Sequence, residues 1–365
     1  VYGSDPDFLR GQLHRYLELI SRYKTLYGEQ DVIVARAPGR VDLLGSHTEY
    51  HQGYVLPMAL DKDTVIVAGK RHDKNILLHN TDPHFPVQEF ILEHEIPRSN
   101  KGSWDNYVKA AAQAFIRVYG IERIAGMNAV IDGRPPYGVP LAAGLSSSSA
   151  LLVSAAVTLA ELHSVITEPK QFARFCGEAE WYVGTRGGFM DHLTSILNRK
   201  DHALFLDCRP IQVSGQETFL TENIPLPAGY EVALCNTNIR KEKSASSEYN
   251  TRALECKLGL ELLKPYFPNA QYLRDIPAEA ALPTMLPMRT TFQELTNHLN
   301  QEIVAELFHD YNVPLSRELN ILPRCRHVIS ENMRVLQGCE FMKSGDIQGF
   351  GNVMRDSYRS MRDDF

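Results

Sequence analysis

The sequence predicts a mixed α/β protein of the α+β type, built from two domains, with its helices concentrated in the second half. Three observations support this class. The chain has 365 residues, which is more than one ordinary hydrophobic core uses. Short apolar runs alternate with helical patterns up to about residue 235, and the pattern is mostly helical from about residue 244 onward. A composition shift near 205–225 suggests the boundary, so we expect domains at 1–210 and 211–365.

The individual elements follow from the spacing of apolar residues. Helices are predicted over residues 7–28, 104–119, 151–162 and 169–184. Strands are predicted over residues 31–39, 64–69, 75–78, 127–132, 203–208 and 230–235. A connector rich in proline and glycine, residues 133–140, separates the fourth strand from the third helix.

Composition and charge restrict the classes of function. Hydrophobic residues make up 44% and charged residues 22% of the chain, as in an ordinary soluble globular protein. The net charge of -6 argues against a nucleic-acid partner or an acidic membrane surface. It leaves room for an anionic ligand, because a helix N-terminus or a metal ion neutralises phosphate locally. No apolar run reaches the length of a membrane span.

The six cysteines are scattered and form no C-x-x-C pair. This pattern suggests neither a zinc site nor a redox motif. We therefore expect reduced, mostly buried cysteines in a cytoplasmic protein.

The first segment with chemical potential is the serine-rich stretch Gly144, Leu145, Ser146, Ser147, Ser148, Ser149 and Ala150. It follows a strand and a connector and precedes a hydrophobic helix. Such an arrangement exposes backbone N–H groups at a helix N-terminus, where the helix dipole favours phosphate. A serine hydroxyl in this position can also ligate Mg²⁺. Taken alone, the stretch is explained slightly better as an ordinary loop with a serine N-cap.

Two further segments carry polar side chains between glycines. Arg40, His47 and Glu49 lie in residues 37–53, directly after a predicted strand, where active-site loops often occur. Glu180 lies near the C-terminus of the predicted helix 169–184, where a carboxylate opposes the dipole and suggests a cation ligand. Asp191 follows the Gly187-Gly188 turn. Each segment alone also fits solvated surface charge and helix caps.

Together the segments resemble the galactokinase family of the GHMP kinase superfamily. Residues 38–50, PGRVDLLGSHTEY, resemble its sugar signature G-R-V-N-L-I-G-E-H-T-D-Y. Residues 140–150 resemble its phosphate loop P-x-x-x-G-L-S-S-S-A, and residues 188–191 resemble the start of its G-I-M-D-Q segment. Residues 246–252, SSEYNTR, resemble its S-S-E-Y-x-x-R segment. The resemblance runs from about residue 30 to residue 365.

The resemblance implies a two-domain GHMP kinase fold, with an N-terminal ribosomal-protein-S5-like domain and a C-terminal ferredoxin-like domain. The superfamily's third glycine-rich motif, of the S-G-A-G-x-G-G type, has no match. We therefore expect the C-terminal domain to be incomplete.

The resemblance also implies an enzyme that transfers phosphate from ATP, with Mg²⁺, to the C1 hydroxyl of a galactose-type sugar, giving the α-1-phosphate and ADP. Its implied catalytic pair is Arg40 and Asp191. The implied sugar-binding residues are Ser46, His47, Glu49 and Tyr249. The 144–150 stretch and Trp104 would bind ATP, the latter through its indole near adenine, although Trp104 fits a core tryptophan at a helix start nearly as well. The implied metal ligands are Ser147 or Ser148 together with Glu180.

Three departures from the family pattern keep the substrate open. Ser46 replaces a glutamate that binds the sugar 6-hydroxyl, and plant galacturonate kinases carry a small residue there. Glu49 replaces an aspartate. Arg186 or Lys241 is a candidate partner for a substrate carboxylate, although each equally fits a surface cation. Galacturonate is therefore an alternative substrate, and a non-catalytic sugar and ATP sensor is an alternative function. Another GHMP branch is disfavoured by residues 47–50 and 246–252. The sequence does not decide between a monomer and a homodimer.

Overall fold

The computed structural model describes residues 2–3, 5–184, 187–235 and 247–365, and it confirms the mixed α/β class. The strands are β1 Ile33–Leu44, β2 Tyr54–Lys70, β3 Asn75–Asn80, β4 Gln88–Ile91, β5 Met127–Asp132, β6 His202–Val213, β7 Gln216–Pro225, β8 Arg289–Thr290 and β9 Leu319–Asn320. The helices are α1 Pro6–Tyr27, α2 Asp105–Tyr119, α3 Ser147–Leu162, α4 Pro169–Glu180, α5 Met190–Leu197, α6 Ser247–Leu263, α7 Phe292–Leu295, α8 Gln301–Asp310, α9 Ile321–Ser344 and α10 Ile347–Asp364. Among the helices described, none combines the length and apolar character that a membrane span requires.

The chain forms two compact units whose segments alternate along the sequence. Unit 1 comprises Val1–Val41, Met58–Lys200 and Ala233–Ser244. Unit 2 comprises Asp42–Pro57, Asp201–Val232 and Ala245–Phe365. Residue 210 falls within a segment of unit 2, and the division into domains 1–210 and 211–365 stays a prediction.

In unit 1, four strands lie in the order β4-β3-β5-β2. The β3 and β5 strands are parallel, and the other neighbours are antiparallel. Alternate residues point to opposite faces of a sheet, so Val65, Val67 and Val130 pack against Leu19 and Tyr23 of α1. The residues between them face the main core with α2, α3 and α4. The helix that follows the serine-rich loop is therefore anchored on the sheet by its apolar side chains.

In unit 2, the start of β2 pairs with β6, and β6 pairs with β7. Ser214 and Gly215 join β6 to β7, and both have positive φ, as a two-residue type I′ hairpin turn requires. The core of this unit lies between the helices, with Leu254 of α6, Phe308 of α8 and Val328 of α9 fully buried. The long helix α9 runs through this core and also packs on β7 and α10.

Some predicted elements differ from the structure for identifiable reasons. The strand predicted at 230–235 is wrong, because these residues form no strand and the side chains of Tyr230, Val232 and Leu234 are exposed. The β7 strand was not predicted, because most of its residues are polar and accessible on both faces. The structure also contains the short elements β4 and α5, which the periodicity did not indicate.

Candidate active site

The glycine- and serine-rich segment after β5 forms a tight loop that runs directly into α3. Gly144 has φ of 75° and Ser146 has φ of 57°, so both take the left-handed conformation. This conformation costs a non-glycine residue about 1–2 kcal/mol. The Ser146 carbonyl accepts a hydrogen bond from the Ala150 N–H at 2.9 Å, so α3 begins at Ser147 and not at the predicted residue 151. The first turn of the helix thus consists of the serines that we expect to bind phosphate.

The N-terminus of α3 is suited to an anion. Its N-cap residue, Ser146, makes no side-chain hydrogen bond to the first-turn amides. Instead, the Ser146 hydroxyl donates to Oδ2 of Asp191 at 2.7 Å. The small side chains of Ser147 and Ser148 leave the backbone accessible to a ligand. Uncapped amides at the positive end of a long helix fit the phosphates of ATP.

Arg40 and Asp191 form an ion pair beside this loop. The Arg40 Nε donates to Oδ1 of Asp191 at 2.7 Å, and Nη2 lies 2.6 Å from the same oxygen. Another guanidinium nitrogen donates to the Gly144 carbonyl at 2.8 Å. The Ser149 hydroxyl lies 3.4 Å from Oδ2 of Asp191. Because Arg40 is only 4% exposed, water screens its charge poorly.

A close backbone contact fixes the loop against β1. The Arg40 N–H donates to the Leu145 carbonyl at 3.2 Å. A Cβ at the preceding residue, Gly39, would lie 2.6 Å from that carbonyl oxygen and 2.7 Å from a methyl group of Val139. Only glycine therefore allows the loop to approach the strand that carries Arg40.

Glu180 lies at the end of α4 and reaches the first turn of α3. The Ser149 hydroxyl donates to its Oε2 at 3.3 Å, and Nε2 of the buried His192 lies 3.0 Å from the same oxygen. Carboxylate and hydroxyl oxygens suit Mg²⁺, which also binds water and substrate phosphates. In the described part of the chain, no three His, Cys, Asp or Glu side chains group to hold a metal ion. The serine that touches Glu180 is Ser149, and the assignment of Ser147 and Ser148 as metal ligands stays a prediction.

Trp104 is a core residue at the start of α2. Its side chain is 9% exposed and packs with Phe85, at a ring-centroid distance of 6.2 Å. The indole Nε1 is buried and has no hydrogen-bond partner among the described residues. This position accounts for the tryptophan as part of the hydrophobic core, and its role near adenine stays a prediction.

In unit 2, the loop from Gly45 to Gly53 brings together three predicted sugar-binding residues. The Tyr249 hydroxyl donates to Oε1 of Glu49 at 3.3 Å. The rings of His47 and Tyr249 are 6.1 Å apart, and Nδ1 of His47 lies 3.0 Å from the Tyr50 hydroxyl. His47 has φ of 67°, so its backbone is also left-handed. We refer to residues 45–53 as the sugar loop.

Two titratable side chains of the sugar loop, Tyr50 and His51, have pKa values that are shifted by burial. Burial raises the pKa of Tyr50 well above its usual value. Burial, assisted by the charge of Lys257, lowers the pKa of His51 from 6.5 to about 3. Both groups are therefore neutral near pH 7, and they add no charge to the loop.

Three residues of α9 contact the sugar loop and its exit, and no sequence motif indicated them. Glu331 accepts a hydrogen bond from the Gly45 N–H, and His327 donates one to the carbonyl of Ser46. Asn332 accepts a hydrogen bond from the Tyr54 N–H. The Ser46 side chain itself is half-buried. The proposed carboxylate partners Arg186 and Lys241 lie outside the described residues.

Two family models match segments that contain residues of these two clusters. A family model described as the galactokinase galactose-binding signature matches residues 21–70, which include Arg40 and the sugar loop. A second model, the N-terminal domain of GHMP kinases, matches residues 106–199, which include the serine loop and Asp191. A galactokinase of Roseiflexus sp. (strain RS-1) is 33% identical over 349 residues, which are 95% of this chain and 77% of that protein. The chain belongs to the galactokinase family.

Solved structures show the fold of this family. The galactokinase of Lactococcus lactis, crystallised with galactose, has a TM-score of 0.72 and 24% identity, covering 94% of this chain and 78% of that one. The phosphomevalonate kinase of Streptococcus pneumoniae has a TM-score of 0.50 and 10% identity, covering 90% and 80%. The GHMP kinase fold is thus confirmed. Membership of the galactokinase family makes the chain a sugar kinase that uses ATP.

Proposed function

We propose that the chain transfers the γ-phosphoryl group of ATP to the anomeric C1 hydroxyl of galactose, giving galactose α-1-phosphate and ADP. The observation that carries this proposal is the Arg40–Asp191 ion pair beside the uncapped N-terminus of α3. It combines a proton acceptor, a fixed positive charge and an anion site within one cluster. The kinship with a galactokinase that is 33% identical supports the choice of sugar.

Asp191 is the group that we propose accepts the proton. As the C1 oxygen bonds to the γ-phosphorus, its O–H bond breaks and the proton passes to the carboxylate. The bond between the γ-phosphorus and the β,γ-bridging oxygen breaks, and ADP leaves. Arg40 contacts Oδ1 of Asp191 twice. We propose that the proton goes to Oδ2, which accepts hydrogen bonds from the Ser146 and Ser149 hydroxyls.

The amides at the start of α3 hold the transferred phosphate in this proposal. Phosphoryl transfer has a loose transition state, so positioning and charge neutralisation supply most of the rate enhancement. Bound Mg²⁺ would add neutralisation of the phosphate oxygens, held by Glu180 and a hydroxyl of Ser147 or Ser148. In unit 2, His47, Glu49 and Tyr249 offer the donors and acceptors that sugar hydroxyls need.

Galacturonate is a second candidate substrate, and Ser46 is the observation that favours it. A serine is shorter than glutamate and carries no charge, so it does not repel a carboxylate at C6. Of the titratable side chains in the sugar loop, Tyr50 and His51 are neutral near pH 7, so neither of these two opposes such a charge.

A coupled assay of ADP release tests the proposal on galactose, galacturonate, glucuronate, L-arabinose and N-acetylgalactosamine. We expect turnover on galactose to exceed the rate without sugar. A higher kcat/KM on galacturonate would replace the first candidate by the second. Sugar binding without ADP release from any member of the panel would refute the kinase and favour a sensor.

A further inference from the structure

A short stretch of α9, residues 327–332, contacts both ends of the sugar loop, although the two segments lie far apart in the sequence. The three contacting residues are His327, Glu331 and Asn332. All three are at most 3% exposed, so their polar groups depend on these partners. The loop and α9 both belong to unit 2.

Glu331 fixes the entry of the loop. Its Oε1 accepts hydrogen bonds from the Gly45 N–H at 2.8 Å and from the Ser357 hydroxyl at 2.7 Å. Its Oε2 accepts from Nε of Arg334. The carboxylate is therefore held in place by α9 and α10 before the loop binds to it. A fixed acceptor of this kind restricts the orientation of the peptide that joins Leu44 to Gly45.

His327 fixes the next peptide. Its Nε2 lies 3.0 Å from the Ser46 carbonyl oxygen, which only accepts, so Nε2 carries the hydrogen. Its Nδ1 is 2.9 Å from the Ser360 hydroxyl and accepts from it when the ring is neutral. Burial lowers the pKa of His327, which favours the neutral ring. The peptide between Ser46 and the left-handed His47 is thus held by the His327 ring in the tautomer that carries its hydrogen on Nε2.

Asn332 fixes the exit of the loop. Its Oδ1 accepts from the Tyr54 N–H at 2.7 Å, while its Nδ2 donates to the Val328 carbonyl at 2.7 Å. A Cβ at Gly53 would lie 2.7 Å from the same Oδ1. Inside the loop, the Thr48 hydroxyl lies 2.8 Å from the Gly45 carbonyl and 2.7 Å from the Tyr54 carbonyl. The short loop is therefore closed on itself and held at both ends.

We infer that His327, Glu331 and Asn332 are positioning residues that hold the sugar loop in its binding conformation. The left-handed His47 supports this, because a strained backbone persists only where its surroundings fix it. None of the three is assigned a contact with the sugar, and they act through Gly45, Ser46 and Tyr54. The inference rests on the proposed function for the role of residues 45–53 in binding the sugar and for the identity of that sugar.

Removing the donor of His327 is the test. In His327→Leu, the Ser46 carbonyl loses its partner, and we expect the KM for sugar to rise by about tenfold or more. The KM for ATP and kcat at saturating sugar should stay within about twofold. His327→Gln keeps an N–H donor and should restore most of the affinity. Met333→Leu, at an exposed position of the same helix, is the matched control.

Amide hydrogen exchange of residues 44–57, measured without any sugar, tests whether the three α9 residues hold the sugar loop in one conformation. We expect faster exchange there in His327→Leu, with near wild-type exchange in His327→Gln and Met333→Leu. Should His327→Leu fail to fold, Asn332→Ala takes its place with the same expectation. Unchanged exchange, or a parallel rise of both KM values, would overturn the inference. If the wild-type protein turns over no sugar, the exchange measurement still decides the inference, and only the proposed function fails.

Discussion

Replacing the proposed base in Asp191→Asn should abolish most of the catalytic rate while the protein still folds. The amide keeps an oxygen for the two contacts from Arg40, which lie at 2.6 and 2.7 Å in the wild type. Its NH₂ group takes the place of Oδ2, and the Ser146 hydroxyl can accept from it. The variant also leaves the buried Arg40 without its counter-charge, and loss of one partner of a buried ion pair corresponds to about 3–5 kcal/mol of folding free energy. Because the amide keeps hydrogen-bond partners for Arg40 and Ser146, we expect a folded protein that unfolds at a lower urea concentration.

The catalytic effect should be much larger than the effect on binding. An amide cannot accept the C1 proton, and loss of a general base lowers kcat by about 10²- to 10⁴-fold, or about 3–5 kcal/mol of activation free energy. The KM for sugar should change by less than about threefold. The assay is coupled ADP release, with circular dichroism and urea unfolding to check the fold. Glu178→Gln, an exposed carboxylate of α4, is the control. A folded Asp191→Asn with kcat within about tenfold of wild type would refute the assignment.

Three further changes test other parts of the account. Gly39→Ala brings a methyl group 2.6 Å from the Leu145 oxygen, so we expect the free energy of unfolding in urea to fall by about 1–3 kcal/mol and the KM for ATP to rise. Gly351→Ala is the control, because its added methyl group meets nothing within 4 Å. A wild-type urea midpoint for Gly39→Ala would contradict the close packing at residue 39. Because the folded-state pKa of His51 is lowered from 6.5 to about 3, its contribution to stability is present above pH 6.5 and is lost as the pH falls, by about 2 kcal/mol between pH 7 and pH 5. His51→Gln should reduce the pH dependence of the free energy of unfolding by that amount. An unchanged dependence would show that His51 is not the group that titrates. Ser46→Glu should lower kcat/KM for galacturonate relative to galactose by about tenfold or more, through like-charge repulsion; an unchanged ratio means that position 46 does not contact C6.

The parts of the site that sequence predicts best are those with short, ordered motifs. Arg40, Asp191 and residues 144–150 lie in three separate segments, and the structure brings them into contact. The same holds for His47, Glu49 and Tyr249. In each case a nearby glycine or helix start restricts the backbone conformation, so the local sequence predicts how the segment is shaped.

The residues that the sequence did not indicate lie far along the chain from the segments that they contact. His327 is 281 positions from Ser46, and Glu331 is 286 positions from Gly45. Each is a single polar residue on an otherwise ordinary amphipathic helix, and periodicity indicates only that the helix is buried. His192 was missed for a related reason, because its contact with Glu180 joins α5 to α4 and α5 was not predicted. Long-range packing, and not local pattern, selects these partners.

The product of the reaction tests the central claim most directly. Phosphorus NMR of a mixture of the protein, ATP, Mg²⁺ and galactose resolves a sugar 1-phosphate from a 6-phosphate or from free phosphate. The account predicts one new resonance, with the coupling of an α-anomeric phosphate, that grows with ADP and grows at least about 100-fold more slowly in Asp191→Asn. ADP that appears only with free phosphate, or a phosphate on any other carbon, would contradict it.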